Sequence, residues 1–75
     1  MFDFGERLRT VRKENHLTQK QLAEQIGVTE RNLRHYELGT MKPGLDVILS
    51  ILDNIDVDAN YLLGRTDNPS ILKGV

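Results

Sequence analysis

Apolar side chains recur along the chain at the three- and four-residue spacing of amphipathic helices, and polar breaks divide them into short segments. In the first segment, Phe4, Leu8 and Val11 share one helical face. Asp3 precedes them and can cap the helix by accepting a hydrogen bond from a free amide in its first turn. The pattern predicts a helix over residues 4–15.

Two further segments lie on either side of Gly27, a residue that suits the left-handed conformation in which many helices end. Before it, Thr18 can cap a helix, with Gln21 placed as its capping-box partner. After it, Thr29 can cap a helix over residues 30–38. The apolar faces of these two helices consist of Leu22, Ala23 and Ile26, and of Leu33 and Tyr36.

The rest of the third predicted helix is polar or charged. Its side chains there are Glu30, Arg31, Asn32, Arg34, His35 and Glu37. Because a short helix in a protein is held mainly by its buried stripe, this opposite face is free to bind a partner.

Two weaker segments complete the pattern. A fourth helix is predicted over residues 45–54, after a loop that Pro43 keeps out of the helical conformation. Its apolar stripe consists of Leu45, Ile48, Leu49 and Leu52. Asp58 can cap a fifth helix over residues 59–63, and Gly64 ends it.

No segment has a strand pattern that competes with these helices. The predicted fold class is therefore all-α, a compact five-helix bundle. We expect one domain over residues 1–64 and a tail or linker over residues 65–75, where no period is clear.

Residues 17–39, LTQKQLAEQIGVTERNLRHYELG, resemble the helix-turn-helix of the phage repressor and Cro family of DNA-binding proteins. The likeness lies in the LTQ opening, the alanine in the first helix, the glycine at the turn, the threonine after it, and YE followed by glycine. It continues through Lys42 and Pro43 to YLLG, and covers residues 4–64. The chain departs from the family at His16 and Asp56, where relatives often have glycine. His16 must therefore tolerate an unfavourable backbone or the first helix ends differently, and a strained turn is expected at Asp56.

The resemblance implies double-stranded DNA as the partner, with the third helix in the major groove. It implies that Glu30, Arg31 and His35 are the main base-contacting residues, and that Thr29 and Arg34 lie between bases and phosphates. The chemistry of the side chains adds a hypothesis, in which arginine binds guanine and the carboxylate accepts from cytosine. The alternative interpretation of this face is a solvated helix surface.

Phosphate contacts require donors, preferably near helix starts. Gln19 matches a family glutamine that contacts phosphate, and Asn32 and Lys42 are further candidates. Arg12 and Glu37 match a family pair that forms a salt bridge between the first and third helices. Arg12 is also a phosphate candidate, but we favour its structural role.

Composition excludes several function classes. The chain has no cysteine, and its His, Asp and Glu residues lack both metal-ligand spacing and a nearby nucleophile, so we expect no enzyme activity, no cofactor and no small-molecule substrate. No apolar run approaches the ~20 residues of a membrane span, and the N-terminus lacks a signal-peptide pattern, which predicts a cytoplasmic protein. The net charge is −1, but it is unevenly distributed. Residues 1–45 carry eight Lys and Arg against six Asp and Glu, and residues 46–75 carry two against five, so the N-terminal part is mildly basic and the C-terminal part is acidic.

These observations predict a sequence-specific transcriptional regulator that represses by occupying its operator as a homodimer, with two helices in major grooves about 34 Å apart. The expected dimer contact lies in the fifth helix and the tail, at Tyr61, Leu63, Ile71 and Leu72. The alternative is a protein-interaction module of the same fold, such as an antitoxin or partner-binding domain, which the acidic C-terminal half would suit. A third interpretation makes the chain the N-terminal piece of a longer regulator.

Overall fold

A computed structural model of the chain describes residues 3–67 and shows five short helices in that part of the chain. The helices are α1 (Phe4–Glu14), α2 (Gln19–Ile26), α3 (Glu30–Leu38), α4 (Leu45–Asn54) and α5 (Ala59–Leu62). The all-α prediction is confirmed, and the predicted helix limits differ from the observed ones by at most one residue.

Local side chains start these helices as the sequence predicts. Thr18 and Gln21 form the complete capping box of α2, with the threonine hydroxyl accepting from the Gln21 amide at 3.1 Å. Asp3, Thr29 and Asp58 each accept a hydrogen bond from a backbone amide three residues later, at the starts of α1, α3 and α5. The starts of these four helices are therefore encoded within a few residues of sequence, whereas α4 follows Gly44 without a side-chain cap.

The two departures from the family pattern have different outcomes. His16 adopts the expected left-handed conformation, with φ of +59°. Asp56 does not, because His16 is the only residue other than glycine with positive φ among residues 3–67. The side chain of Asn15 instead bonds both the amide and the carbonyl of Asp56, at 3.4 Å each. The predicted strain at Asp56 is therefore wrong, since a side chain from the end of α1 anchors that turn in an ordinary conformation.

The core lies where α1 and α2 pack against α3, with α4 against α2 and α5 against α1. Its largest fully buried side chains come one from each helix: Leu8, Leu22, Leu33, Ile51 and Leu62. Because every helix contributes one such residue, each is held in the bundle by burial of its own apolar face.

The facing of α4 agrees only in part with the predicted stripe, of which Ile48 and Leu52 are half-buried. Ile51 is fully buried, whereas Leu45 and Leu49 of the predicted stripe are 71% and 50% exposed. Since α4 is apolar on several sides, spacing alone does not select the buried face. Packing against α2 selects it, and the Ser50 hydroxyl donates to the carbonyl of Ile26 at 3.1 Å.

Two contacts set the position of α1. Gly5 lies against the end of α3, where an added Cβ would stand 2.6 Å from the carbonyl oxygen of Tyr36. Arg7 packs 4.5 Å above the Tyr61 ring, bonds the carbonyl of Tyr61 at 2.8 Å, and reaches Asp67 at 2.5 Å. Different sides of α1 thus contact the end of α3 and the segment from α5 to Asp67. No helix within residues 3–67 is long and apolar enough to span a membrane.

Candidate nucleic-acid interface

The third helix presents a continuous polar surface. Burial of Leu33 and Tyr36 turns the opposite side of α3 outward. Glu30, Arg31 and Arg34 are exposed on that side, and the Thr29 hydroxyl accepts from the Asn32 amide at 3.0 Å. The structure therefore gathers the predicted base-contacting side chains at the start and along the outer face of one helix, with His35 half-buried beside them.

Charge on this surface is partly paired. The Arg34 guanidinium lies 4.0 Å from the Glu30 carboxylate, one helical turn away, and both side chains are about half exposed. Such an exposed pair contributes little to stability. Both groups can therefore reorient towards a ligand at small cost.

Beneath this surface, Arg12 and Glu37 form a buried ion pair. The arginine Nε and Nη2 donate to the two carboxylate oxygens at 2.6 and 3.1 Å, and Nη1 donates to the carbonyl of Leu17 at 2.9 Å. Arg12 is 8% exposed. Each guanidinium nitrogen donates inside the protein, so Arg12 joins α1 and α3 as the sequence analysis favoured. Arg12 also lines the cleft that Gln19 and Arg34 share, and its phosphate contact stays a prediction.

Gln19, the first residue of α2, extends this network. Its side-chain amide donates to Glu37 at 3.1 Å, which uses one of the two amide hydrogens and leaves the other free to donate. Lys42 is exposed in the loop before α4, and Asn32 is half-buried in the first turn of α3. These three phosphate candidates thus lie at a helix start, in a loop and in a first turn.

Two residues that the sequence analysis left out belong to this region. Arg9 lines a shallow cleft together with Gln19 and Arg34. Its position three residues before Arg12 was the available signal, since that spacing puts both on one face of α1. Thr40 lies beyond Gly39, yet its hydroxyl is 2.7 Å from Nδ1 of His35. The turn at Gly39 that ends α3 brings Thr40 back against His35. Helical spacing in the sequence cannot reveal this contact.

The predicted dimer-contact residues do not share one environment. Tyr61 is buried beneath Arg7 in the core of its own chain, so the structure corrects its placement on a dimer surface. Leu63 is 43% exposed. Ile71 and Leu72 lie outside the described residues. Within residues 3–67, no group of three or more His, Cys, Asp or Glu side chains is placed to hold a metal ion.

A family model described as a helix-turn-helix domain matches residues 5–68 of the chain. The chain belongs to this helix-turn-helix family. It is 42% identical over 66 residues to YobD of Bacillus subtilis strain 168, described as an uncharacterized HTH-type transcriptional regulator. That match covers 88% of this chain and 59% of YobD.

A second relative of this helix-turn-helix chain comes from a phage. RstR of Vibrio cholerae O1 El Tor, described as a cryptic phage CTXphi transcriptional repressor, is 33% identical over 60 residues. The match covers 80% of this chain and 54% of RstR. The chain thus spans little more than half the length of either relative.

The fold matches the DNA-binding domain of the P22 c2 repressor. Its solution structure superposes with a TM-score of 0.75 at 26% identity, covering 84% of this chain and 86% of that one. The crystal structure of the P22 c2 repressor with a synthetic operator gives the same TM-score at 24% identity, covering 83% and 94%. The chain therefore has the fold of a lambda-repressor-like DNA-binding domain.

Proposed function

We propose that this helix-turn-helix chain binds duplex DNA in a sequence-specific way and acts as a transcriptional repressor by occupying its operator. The observation that carries the proposal is the outer face of α3, where Glu30, Arg31 and Arg34 are exposed while the opposite side is fixed in the core. A helix fits the major groove of B-DNA, and side chains near its start reach base edges.

The comparisons support this proposal without extending it to a whole regulator. YobD and RstR are named as a transcriptional regulator and a transcriptional repressor, and the P22 c2 repressor was solved with an operator. Because the chain spans 59% and 54% of the first two, the proposal concerns the DNA-binding unit. Cytoplasmic location, which the sequence analysis predicts, accords with a regulator of bacterial or phage type.

The proposed contacts divide by chemistry. Glu30, Arg31 and His35 contact base edges, and Thr29 and Arg34 lie between bases and phosphates. Gln19, Asn32 and Lys42 bind phosphates, and Arg9 joins them because it lines the same cleft as Gln19 and Arg34. A second copy of the chain contacts the first through Leu63, the exposed apolar residue after α5.

The decisive experiment selects bound sites from a pool of random DNA duplexes at low salt. We expect enrichment of one sequence, and a steep loss of affinity as salt rises, because binding to phosphates releases counterions. A protein-interaction module would give no enriched sequence. The control is Arg31→Ala with Arg34→Ala, which removes two exposed cations of α3 and should abolish enrichment while the helical circular-dichroism spectrum stays unchanged.

Phosphate contacts carry no sequence information, which makes a separate prediction for Gln19 and Lys42. Gln19→Ala and Lys42→Ala should each weaken binding to the selected duplex and to random duplex by similar factors. For Lys42→Ala, the slope of log affinity against log salt should fall by about one. The matched control is Arg65→Ala, which removes a cation outside the helix-turn-helix segment. Loss confined to the selected duplex would show that these side chains contact bases.

A further inference from the structure

The ring of His35 is fixed by a residue outside its own helix. Nδ1 of the imidazole lies 2.7 Å from the Thr40 hydroxyl oxygen, and that hydroxyl lies 3.4 Å from the carbonyl oxygen of His35. The backbone amide of Thr40 also donates to this carbonyl, at 3.1 Å. Gly39, left-handed with φ of +81°, turns the chain so that Thr40 returns over the last turn of α3.

The single hydrogen of the Thr40 hydroxyl can serve only one of these two acceptors. The carbonyl oxygen of His35 already accepts backbone amides from Gly39 and Thr40, which occupy both of its lone pairs. At 3.4 Å the hydroxyl is also too far from it for a strong bond, whereas 2.7 Å is the usual length for a hydroxyl donor. If Nδ1–H donated to the hydroxyl instead, the hydroxyl hydrogen would have only this crowded carbonyl, 3.4 Å away, as an acceptor within the protein. Donation from the hydroxyl to Nδ1 is therefore the assignment that the NMR experiment below tests.

This direction of donation sets the tautomer of the ring. A neutral imidazole that accepts at Nδ1 carries its hydrogen on Nε2. A protonated imidazole carries a hydrogen on Nε2 as well. With Thr40 donating to Nδ1, Nε2 of His35 is a donor in either state.

We propose that Thr40 is a positioning residue for specificity, which holds His35 so that its Nε2–H donates to the N7 acceptor of a purine in the major groove. This inference rests on the proposed DNA-binding function. Every purine presents N7 in the major groove, and the amino groups of adenine and cytosine are donors that a fixed N–H cannot bind. Thr40 thus disfavours cytosine at the base that His35 contacts, and the 7-deaza experiment below distinguishes purine N7 from thymine O4, the other major-groove acceptor.

The tautomer can be measured in the free protein, without DNA. Nitrogen-15 NMR of the imidazole rings at a pH of about 8, where a free imidazole is neutral, distinguishes a protonated Nε2 from a protonated Nδ1. We expect His35 to show protonated Nε2 and an accepting Nδ1. Thr40→Val should move the ring nitrogens towards the average of the two tautomers, and Thr40→Ser, which keeps the hydroxyl, should restore the wild-type spectrum. His16, exposed and outside this pair, is the internal control.

The second measurement uses the selected duplex with each purine replaced in turn by its 7-deaza analogue, which lacks the N7 acceptor. We expect one position where the analogue weakens binding of wild type by about 5- to 10-fold, as for the loss of one bond inside an interface. His35→Ala and Thr40→Val should be largely insensitive to the analogue at that position. Thr40→Ser should keep the sensitivity.

Each outcome decides the proposal. A His35 ring with its hydrogen on Nδ1 overturns it, whether or not DNA binds. A Thr40→Val protein that keeps the 7-deaza sensitivity also overturns it, because the hydroxyl would then be unnecessary. An empty selection from random duplexes would defeat the proposed DNA-binding function, and the base contact with it, while the NMR result would still decide how Thr40 holds the ring.

Discussion

Arg31 and Glu30 are adjacent on α3, yet they offer opposite chemistry to a base pair. Arginine donates two hydrogen bonds in the geometry of guanine O6 and N7, whereas a carboxylate only accepts and suits the amino group of cytosine. Arg31→Ala should weaken binding to the selected site by about 1–3 kcal/mol and relax the preference for guanine there. Titrating single-base variants at one fixed salt concentration measures both effects, with Arg65→Ala as the control for lost charge.

Glu30→Ala should act in the other direction on random DNA. It removes a charge that repels phosphate and releases Arg34 from its 4.0 Å partner, so random duplex should bind equally well or better while discrimination falls.

For Arg31→Ala, equal loss of affinity on every duplex would make that arginine a phosphate contact and refute the base assignment.

Arg12 supports the recognition surface from beneath. Removing one partner of a buried pair leaves an uncompensated charge, so Arg12→Ala should lower the free energy of unfolding by about 3–5 kcal/mol. Denaturant titration measures this loss, and Arg9→Ala, an exposed arginine on the same helix, is the matched control. The double variant Arg12→Met with Glu37→Leu should recover much of the stability, because no buried charge remains. If Arg12→Ala is as stable as Arg9→Ala, the pair does not hold α1 to α3.

The residues that sequence predicted well are those whose partners are close in the chain. Thr18 caps its helix through Gln21, three residues away, and Gly27 ends that helix by its own conformational freedom. Asn15 at the Asp56 turn was missed because its partner is 41 residues away, a contact that only tertiary packing creates. In the candidate site, the outer face of α3 was predictable from the pattern of one amphipathic helix. The contact of Thr40 with the His35 ring was not, because Thr40 lies beyond the end of that helix.

At the scale of helices, α1 and α3 meet with almost no space between them. Gly5→Ala should destabilise the fold by about 1–3 kcal/mol, because the new methyl group would stand 2.6 Å from the Tyr36 carbonyl oxygen. Neither atom can move away unless the backbone of its helix shifts. Alanine favours helix more than glycine does, so propensity alone predicts the opposite sign. Thermal unfolding distinguishes the two effects.

The methyl group of Gly5→Ala should also displace α3, which carries the recognition surface. Since Gly5 packs against the end of α3, the substitution should also reduce affinity for the selected duplex, even at a temperature where the variant is folded. Lys13→Ala, an exposed change on α1, serves as the control. A more stable Gly5→Ala protein would show that the two helices can separate at no cost.

Helix packing is also where prediction from sequence failed. The limits of α4 were correct to the residue, but its buried face was predicted only in part, since Ile48 and Leu52 are half-buried whereas Leu45 and Leu49 are exposed. A helix that is apolar on several sides has more than one possible stripe, and its neighbours decide among them. In α3 only Leu33 and Tyr36 are large and apolar on the inner side, so a single facing was possible and the prediction was confirmed.

At the scale of the molecule, one copy of α3 is too short to specify a unique site in the proposed DNA complex. Nine residues form a helix about 13 Å long, which spans about four base pairs along the groove. In the proposed dimer, two copies of a molecule that measures 30 × 24 × 21 Å place their third helices about 34 Å apart and double the number of base pairs contacted.

This geometry makes a prediction about the bound DNA. The selected sites should contain an inverted repeat whose half-sites are centred about 10 base pairs apart, one turn of the double helix. Inserting about five base pairs between the halves turns them to opposite faces of the duplex, so affinity should fall by roughly 100-fold, towards that of an isolated half-site. A spacer of unchanged length but altered sequence is the control, and it should bind within a few-fold of the original because neither recognition helix contacts it. Gel-shift titrations of the three duplexes, with the protein-to-DNA ratio read from the same gels, measure the effect. A single half-site bound at full affinity by one copy of the chain would refute the dimeric arrangement.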